Sequence, residues 1–371
     1  AGESLTSMNA AIILPTYNER ENIGVMLQKL HEAIRQIPGH RFSFLVVDDT
    51  SPDGTGSVVR QFQKMYTDIT LLTGKKEGLG KALLRGFTYA IDKLKADILI
   101  QMDADLSHDP SVLPKFLDAI DRGADFVVGS RYIPGGSIPD NWGLHRKIYS
   151  VAGNAIVRFG LGYSSVHDWT GGYRALRKSF FESAKGELRA YSGYVFQIAF
   201  LHKAMKHGAK IVEVPIHFTD RRFGHSKIAP SEYIRNVLVY IAKVRMKSSF
   251  GKFLVVGTVG FILNTFVLEL FVLFGFHPTL GSAVGAECAI ISNFFFNNHW
   301  TFRHRKIGNN QVAAKFLQFN GTSLGALLIQ AGTVAAGTSL MGVDAYRSFY
   351  ILGIGLGLMW NYTMYSKVIW K

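Results

Sequence analysis

The stretch Ile98-Leu99-Ile100-Gln101-Met102-Asp103-Ala104-Asp105 is an apolar strand that ends in two carboxylates. Residues two apart on a strand project to the same side, so Asp103 and Asp105 are expected to point together. At the carboxyl end of a strand they would face the crevice in which open α/β sheets bind ligands. Oxygen ligands there suit Mg²⁺ or Mn²⁺, which bridge carboxylates to a diphosphate. The alternative is a polar loop after a buried strand, because a lone Asp-x-Asp pair is common.

Other strands upstream end in polar residues too. The apolar run Ala10–Pro15 is predicted as a strand, and a second strand, Phe42–Val47, is followed by Asp48-Asp49. A third strand, Ile69–Leu72, leads into the glycine- and lysine-rich turn Gly74–Lys81. Strands that alternate with helices predict an α/β fold with a mostly parallel sheet and helices on both faces. The acidic groups and the glycine-lysine turn are then expected to converge on one crevice.

These motifs resemble those of the family 2 inverting glycosyltransferases, whose Rossmann-like catalytic domain has the GT-A fold. Within that family they are most similar to the dolichyl- and polyprenyl-phosphate mannose synthases. The resemblance runs from about Ala10 to Lys227. The stretches that carry it are Pro15-Thr16-Tyr17-Asn18-Glu19, Val47-Asp48-Asp49, Asp103–His108, Gly129–Tyr132, Asp168–Arg174, Gly193–Gln197 and Gly224–Lys227.

The resemblance implies a nucleotide site and a metal site. The nucleotide contacts that it implies are Pro15, Tyr17, Glu19, Asp48, Asp49, Lys81, Asp103 and Lys227. Asp105 is expected to ligate Mg²⁺ or Mn²⁺ directly, and Asp103 to contact the ribose or to reach the metal through water. The synthases sometimes carry Gln two residues after the second Asp as a further ligand. Here that position is Ser107, so either its hydroxyl or water would complete the protein's ligand set.

The resemblance also implies an acceptor site made of arginines. Family members that glycosylate hydroxyl groups use a carboxylate base, but the comparable stretch here, Gly193–Gln197, has no acid. A phosphate monoester is already anionic near neutral pH, so it needs cationic positioning instead of a base. Arg131 and Arg146 match the acceptor-phosphate arginines of the synthases, and Ser150 matches an accompanying hydroxyl. Arginine can hold phosphate with two parallel hydrogen bonds; for Arg131 the alternative is a structural ion pair.

Two further segments near the site have expected roles. Asp168 is expected to organise the turn Thr170-Gly171-Gly172 in preference to acting as a base. Asp220–Lys227 resembles the mobile loop that closes on the nucleotide diphosphate in the synthases, and its glycine, serine and cations suit a lid over phosphate. The expected lid residues are Arg221, Arg222, Gly224 and Ser226. The alternative is a solvated basic loop.

Composition changes near Lys247, beyond which charge is sparse over four apolar segments. Each is near the ~20 residues that span a bilayer as a helix: Phe253–Phe276, Leu280–Trp300, Phe316–Leu340 and Phe349–Ile369. Four such segments in succession argue against buried helices of a soluble protein. This block resembles the GtrA-like membrane domain through Lys252–Gly257, Asn293–Asn297 and Trp300–Arg303. The predicted domains are a GT-A glycosyltransferase domain at 8–229, an amphipathic interfacial helix at 230–250 and a transmembrane domain with four spans at 251–371.

Two helical stripes of apolar residues have basic flanks and are predicted to lie in the headgroup region of a bilayer. The first consists of Ile148, Val151, Ala152, Ala155, Ile156 and Phe159, and the second of Ile234, Val237, Leu238, Ile241 and Val244. The alternative is that both stripes face a protein core.

The placement of Lys and Arg predicts the orientation in the membrane. They flank the first apolar segment at Arg245–Lys252, join the second to the third at Arg303–Lys306, and follow the fourth. The positive-inside rule then makes the catalytic domain cytoplasmic. The net charge of +14 suits a surface that faces anionic lipid, and no nucleic-acid motif accompanies it. The single cysteine, Cys288, excludes an intrachain disulfide, and a homo-oligomer is left open.

These observations predict a multi-pass membrane transferase. It would move mannose from GDP-mannose to a dolichyl or polyprenyl phosphate, with inversion, at the cytoplasmic face. One alternative is a glucosyltransferase that uses UDP-glucose. Another is a lipid-linked sugar translocase in which the soluble domain is the partner.

Overall fold

The computed structural model describes residues 7–191, 193, 195–220 and 230–371. The chain divides into two compact units, Ala1–Ile241 and Ala242–Lys371. The division falls inside the helix that the sequence predicts as a separate interfacial segment at 230–250. Most of that helix therefore belongs to the first unit.

The first unit is built on a seven-stranded sheet. Its strands are β1 (Met8–Thr16), β2 (His40–Asp48), β3 (Ile69–Thr73), β4 (Ile98–Gln101), β5 (Phe126–Ser130), β6 (Arg174–Arg177) and β7 (Ile211–Pro215). Their order is β3-β2-β1-β4-β6-β5-β7, with β6 antiparallel to β4 and β5 and the other pairs parallel. Apolar runs such as Ile12–Leu14 are fully buried because helices cover both faces of the sheet. The α/β prediction with a mostly parallel sheet is confirmed.

Helices lie on both faces of this sheet. The helices of the first unit are α1 (Arg20–Ile34), α2 (Thr55–Gln63), α3 (Leu79–Asp92), α4 (Leu113–Asp121), α5 (Leu144–Leu161), α6 (Lys178–Leu188), α7 (Val195–Lys206) and α8 (Pro230–Lys247). α1, α2 and α4 share one apolar core with the sheet. α3, α6 and α7 pack on the other face, where Phe87, Phe181 and Phe200 form edge-on and tilted ring contacts.

Glycines let α3 lie close to the sheet. A methyl group at Gly86 would lie 2.8 Å from Val47 Cγ2 and 2.9 Å from Ile13 Cγ2, and one at Gly80 would lie 2.8 Å from Phe196 Cβ. α3 is therefore confined between β1, β2 and α7. This confinement places the first turn of α3 at the edge of the sheet where the parallel strands end.

β4 is shorter than the sequence predicts. It ends at Gln101, so Asp103 and Asp105 lie in the following loop and not on the strand. The N–H of Asp103 donates to His108 Nδ1 at 3.0 Å, and Leu106 has a φ of +68°, so the chain turns directly after the strand. The prediction that side-chain alternation along a strand orients the two carboxylates is therefore wrong. The turn after β4 orients them instead.

The second unit is helical. It contains α9 (Ser249–Leu273), α10 (Pro278–Phe296), α11 (Val312–Met341) and α12 (Tyr346–Met364). α9 packs along α10 and α11 along α12. An aromatic cluster that includes Phe253, Phe294, Phe319 and Trp370 joins the elements at one end.

Within the described residues, three helical segments are long and apolar enough to cross a membrane. They are Ser249–Leu273, Pro278–Thr301 and Asn309–Met341. α12 coincides with the fourth predicted span, and its role as a span stays a prediction.

The two apolar stripes differ in their surroundings. On α5, Ile148, Val151 and Phe159 are exposed, while Val157 on the opposite side is buried. This stripe does not face the core. On α8, Ile234 and Leu238 are exposed, but Val237 and Tyr240 pack into the first unit. The prediction that the second stripe lies in the headgroup region is therefore wrong for Val237, because that part of α8 packs against the first unit.

We expect Gly86→Ala to lower the thermal midpoint of the full chain in detergent. The added methyl would overpack against Val47 and Ile13, which typically costs about 1–3 kcal/mol. The matched control is Gly153→Ala on α5, where nothing lies within 4 Å of the new methyl. Alanine in a helix is favoured over glycine by about 1 kcal/mol, so the control should not lose stability. Equal midpoints for the two variants would contradict the packing of α3.

Candidate active site

Asp48, at the end of β2, holds two loops of the candidate site together. Its carboxylate accepts hydrogen bonds from Thr16 Oγ1 at 3.0 Å, from Ser51 N at 2.9 Å and from Ser51 Oγ at 2.5 Å. Ser51 Oγ in turn accepts from the N–H of Asn18 at 3.0 Å. Asp48, which the sequence predicts as a nucleotide contact, is buried, and these hydrogen bonds fix the shape of both loops.

Asp49 is paired with an arginine of α3. Arg85 Nη2 donates to Asp49 Oδ1 at 2.6 Å. Burial raises the pKa of Asp49, and the bond and charge of Arg85 offset only part of that rise. The pair links the end of β2 to α3 beside the glycine-lysine turn.

The loop that carries Tyr17 and Glu19 is fixed by a residue that the sequence did not single out. Asp53 accepts from the N–H of Arg20 at 3.0 Å and from Thr55 Oγ1 at 2.6 Å. Thr55 Oγ1 also accepts from the N–H of Glu19 at 3.0 Å. The ammonium of Lys76 lies 3.6 Å from the centre of the Tyr17 ring, which brings the Pro15–Glu19 loop to the Gly74–Lys81 turn.

Lys81 has a different setting from the other predicted nucleotide residues. Its ammonium donates to the carbonyl of Arg189 at 2.9 Å. It lines an open cleft of about 500 Å³ formed mainly by α3 and the end of α6, together with Lys185 and Arg189. Its nucleotide contact stays a prediction.

Asp103 and Asp105 are held differently within their turn. Asp105 is buried, and its Oδ1 accepts from Ser107 N at 3.1 Å and from Ser107 Oγ at 2.5 Å. The Asp103 side chain is 38% exposed, with one oxygen 3.9 Å from His108 Nε2. His108 accepts the Asp103 N–H on Nδ1, so a neutral His108 carries its proton on Nε2.

This turn fits a hard divalent cation. Its donors are carboxylate and hydroxyl oxygens, which Mg²⁺ and Mn²⁺ prefer. Gly172 leaves room beside Asp103, because a methyl there would lie 3.3 Å from Asp103 Oδ2. No group of three or more His, Cys, Asp or Glu side chains suited to a metal occurs in the described part of the chain. Asp103, Asp105 and Ser107 would thus hold the ion together with water and diphosphate oxygens.

Asp168 is the hub of the other side of the site. It is fully buried and accepts from Arg131 Nε at 2.7 Å and Arg131 Nη2 at 2.8 Å. It also accepts from the N–H of Gly171 at 2.9 Å and of Thr170 at 3.3 Å. The expectation that Asp168 organises this turn is confirmed, and the ion pair foreseen as the alternative for Arg131 is present.

Electrostatics favour the charged forms of this pair. Burial alone would raise the pKa of Asp168, but the charge and hydrogen bonds of Arg131 bring it below its usual range. Burial would lower the pKa of Arg131, but the charge and hydrogen bonds of Asp168 outweigh that effect, so the pKa of Arg131 is raised.

Burial lowers the pKa of Arg174 to about 10, so Arg174 stays charged at neutral pH. Arg174 donates to the carbonyls of Gly171 at 2.9 Å and Gln197 at 2.7 Å.

Arg146 is far more accessible than Arg131. Its side chain is 43% exposed, whereas that of Arg131 is 9% exposed. The guanidinium lies 3.9 Å from the centre of the Trp142 ring and donates to both oxygens of Asp220 at 3.1 and 3.2 Å. Ser150 lies one turn further along α5, and its Oγ is 2.5 Å from the hydroxyl of Tyr132.

The segment 217–220 passes both sides of the site. Thr219 Oγ1 donates to the carbonyl of Leu106 at 3.2 Å and its N–H donates to the carbonyl of Ser107 at 3.3 Å. Phe218 packs against His108 with ring centres 5.7 Å apart. The predicted lid residues Arg221, Arg222, Gly224 and Ser226, as well as Lys227, lie outside the described residues.

Several residues that build the site escaped the sequence analysis. Asn154 Nδ2 donates to Thr170 Oγ1 at 3.2 Å, and Asn154 Oδ1 accepts from the N–H of Trp169 at 2.8 Å, so α5 is tied to the Asp168 turn. Glu213 accepts from the N–H of Asp168 at 3.1 Å. Of these residues, only Asn154 could have been noticed in the sequence, since it is a polar residue inside an apolar stretch of helix.

The chain is similar to known proteins in both of its parts. Residues 11–184 match the glycosyl transferase family 2 domain, and residues 252–370 match the GtrA/DPMS transmembrane domain. A dolichol-phosphate mannosyltransferase of Pyrococcus furiosus is 32% identical over 326 residues, which cover 87% of this chain and 88% of that protein. A polyprenol monophosphomannose synthase of Mycolicibacterium smegmatis is 41% identical over 234 residues, which cover 62% and 85%. The crystal structure of mannosyl-3-phosphoglycerate synthase from Rubrobacter xylanophilus matches with a TM-score of 0.48 and 17% identity, covering 65% of this chain and 74% of that one.

We expect Asp168→Asn to destabilise the chain strongly. The change keeps the shape of the side chain but leaves the buried Arg131 charge unpaired, which typically costs about 3–5 kcal/mol. The matched control is Asp118→Asn, which breaks an exposed Asp–Arg pair with a 3.0 Å contact to Arg122. Exposed pairs contribute about 1 kcal/mol or less. Urea unfolding of the full chain in detergent measures the free energy of unfolding of both variants. Similar decreases in the two variants would contradict the role of Asp168 as a hub.

Proposed function

The chain belongs to glycosyl transferase family 2, and from that membership and its site we propose that it transfers mannose from GDP-mannose to a dolichyl or polyprenyl phosphate, with inversion. Two relatives whose names state mannosyl transfer to dolichol or polyprenol phosphate support the sugar and the acceptor class. The GtrA/DPMS domain makes the chain a membrane protein, which suits a lipid acceptor.

The observation that carries the proposal is that the site brings a pair of carboxylates next to a pair of arginines. On one side Asp103 and Asp105 are presented by a tight turn. On the other, Arg131 and Arg146 lie with Asp168 and the start of α5. The sides are adjacent, because Gly171 is bound to Asp168 and Gly172 borders Asp103. Such a site can hold a metal-bound diphosphate opposite an anionic nucleophile.

The proposed reaction is a single displacement at the anomeric carbon of mannose. A non-bridging oxygen of the acceptor phosphate forms the new bond while the bond to the diphosphate oxygen breaks. The products are a mannosyl phospholipid and GDP. A divalent ion bound at Asp103 and Asp105 would neutralise the charge that develops on the departing diphosphate. No proton has to be removed from the nucleophile, because a phosphate monoester is anionic near neutral pH.

The acceptor phosphate is proposed to bind first through Arg146. Its guanidinium lies 3.9 Å from the centre of the Trp142 ring, which holds it in place, and the Arg146 side chain remains 43% exposed. Asp220 pairs with this guanidinium and would yield to the more highly charged phosphate. Arg131 supports the same site from beneath through Asp168. Ser150, beside Tyr132, adds a hydroxyl to the rim.

The exposed apolar residues of α5 favour a bilayer surface next to this acceptor site. The same helix that carries Arg146 also carries Ile148, Val151 and Phe159, and Arg158 directly precedes Phe159 on it. A helix of this kind lies in the headgroup region, where a lipid phosphate also lies. The Lys and Arg distribution supports a cytoplasmic first unit, and α12 is proposed as the fourth span.

The function is tested with purified full chain in detergent or bilayers. GDP-mannose and UDP-glucose are each supplied with polyprenyl phosphate and Mg²⁺, and the lipid product is identified by mass and by its anomeric configuration. The expected product is β-mannosyl phosphopolyprenol, formed from GDP-mannose only. Exclusive use of UDP-glucose, or retention of configuration, would refute the proposal.

We expect Arg146→Ala to slow transfer and to leave donor binding intact. Losing a charge-assisted contact with phosphate typically costs a few kcal/mol, which corresponds to roughly a hundredfold in rate. GDP affinity, measured by calorimetry with Mg²⁺, should not change, because the diphosphate is proposed to bind on the side of Asp103 and Asp105. Arg158→Ala, on the same helix, is the control and should retain transfer. If GDP binding collapses with the rate, Arg146 serves the donor.

A further inference from the structure

The short segment 217–219, which follows β7, is bonded through its backbone to two other parts of the active site. The N–H of Phe218 donates to the carbonyl of Ser137 at 3.0 Å, on the chain that leads to α5. The N–H of Thr219 donates to the carbonyl of Ser107 at 3.3 Å, in the turn that follows β4. Adjacent residues of one segment therefore hold the chain before α5 and the turn after β4 at a fixed separation.

The side chain of Phe218 contacts both of these regions as well. Its half-buried ring is edge-on to the ring of His108, with centres 5.7 Å apart, and edge-on to the ring of Trp142, with centres 5.9 Å apart. The central carbon of the Arg131 guanidinium lies 5.4 Å from the centre of the Phe218 ring. Edge-on ring pairs and contacts between a cation and a ring favour defined geometries, so Phe218 restricts where these three side chains can lie.

Each of the two rings that Phe218 contacts positions a predicted site residue. His108 Nδ1 accepts the N–H of Asp103 at 3.0 Å, and the Trp142 ring centre lies 3.9 Å from the guanidinium of Arg146. The indole N–H of Trp142 is buried and has no hydrogen-bond acceptor among the described residues. Ring contacts and not a hydrogen bond of the indole therefore hold Trp142. Phe218 is thus one side chain away from Asp103 in one direction and from Arg146 in the other.

We propose that Phe218 is a positioning residue for the transfer reaction, its ring setting the distance between the Asp103 turn and Arg146 through His108 and Trp142. This inference rests on the proposed function, in which Asp103 serves the donor diphosphate and Arg146 the acceptor phosphate. Reacting groups have to be aligned almost at contact distance, and a misplacement of about 1 Å can lower a rate about a hundredfold. Phe218 acts through its neighbours, so its loss should lower kcat more than it changes either KM.

The first test compares Phe218→Leu with Phe42→Leu in the full chain in detergent. Leucine keeps an apolar side chain but removes the ring. Phe42 is a matched control, because it is half-buried and edge-on to His40 with ring centres 6.3 Å apart, at the opposite end of β2 from the site. Both variants should lose some thermal stability. Only Phe218→Leu should lower kcat, by roughly tenfold or more, with each KM changed less than about threefold.

A second measurement does not depend on turnover. The ³¹P relaxation of farnesyl phosphate, bound to the full chain loaded with Mn²⁺ and GDP, reports the distance between Mn²⁺ and the acceptor phosphorus. Phe218→Leu should weaken the relaxation enhancement, because the two sides are no longer held at one separation. Phe42→Leu should match the wild type, and Phe218→Tyr, which keeps the ring, should restore most of the enhancement. An unchanged enhancement in Phe218→Leu, or equal losses of kcat in the two leucine variants, would overturn the assignment.

The outcomes separate this inference from the proposed function. If the wild type transfers mannose and Phe218→Leu does so at the same rate, the positioning role fails and the proposed function stands. If the wild type does not transfer mannose but Phe218→Leu still weakens the relaxation enhancement, the proposed function fails and the positioning role stands. The absence of any enhancement in the wild type would overturn both.

Discussion

The buried ion pair between Asp168 and Arg131 is the interaction on which the site depends. Taking both groups out of water is costly, and the cost is offset by the two hydrogen bonds from Arg131 and the one from the N–H of Gly171 that Asp168 accepts. Through Gly171 and Gly172 the pair sets the position of the chain beside Asp103. Through Thr170 and Asn154 it sets the position of α5. One buried carboxylate thus keeps the proposed metal side and the proposed acceptor side in register.

Sheet topology explains why these groups meet. β1, β2, β4 and β5 are parallel, so their carboxyl ends deliver the Tyr17 loop, Asp48-Asp49, the Asp103 turn and Arg131 to one edge. β6 runs the other way and begins at the same edge, which brings in Asp168–Gly172 from the opposite direction. The segment 217–220 then follows β7 past both sides. A transferase needs this convergence, because donor and acceptor must lie within bonding distance on opposite sides of one carbon.

Much of this could be predicted from sequence, and what could not has physical causes. The buried strands at Ala10–Pro15 and Phe42–Val47 are uninterrupted apolar runs, so their positions and the α/β class follow from local pattern. The early end of β4 does not, because it depends on the bond between Asp103 and His108 in a turn stabilised by tertiary packing. The face of α8 that packs against the first unit could not be predicted either. In the sequence nothing separates the buried Val237 and Tyr240 from the exposed Ile234 and Leu238, and only the positions of His202 and Gly160 in the fold do so.

The most direct test of the two-sided site is electron paramagnetic resonance of Mn²⁺ bound to the full chain with GDP. The wild type should show a bound Mn²⁺ signal with coupling to the phosphorus nuclei of the diphosphate. Asp105→Asn should lose that signal because a buried ligand is removed, and Arg146→Ala should retain it because the arginine lies on the acceptor side. Retention of the bound Mn²⁺ signal in Asp105→Asn, or its loss in Arg146→Ala, would contradict the separation of the site into a metal side and an acceptor side.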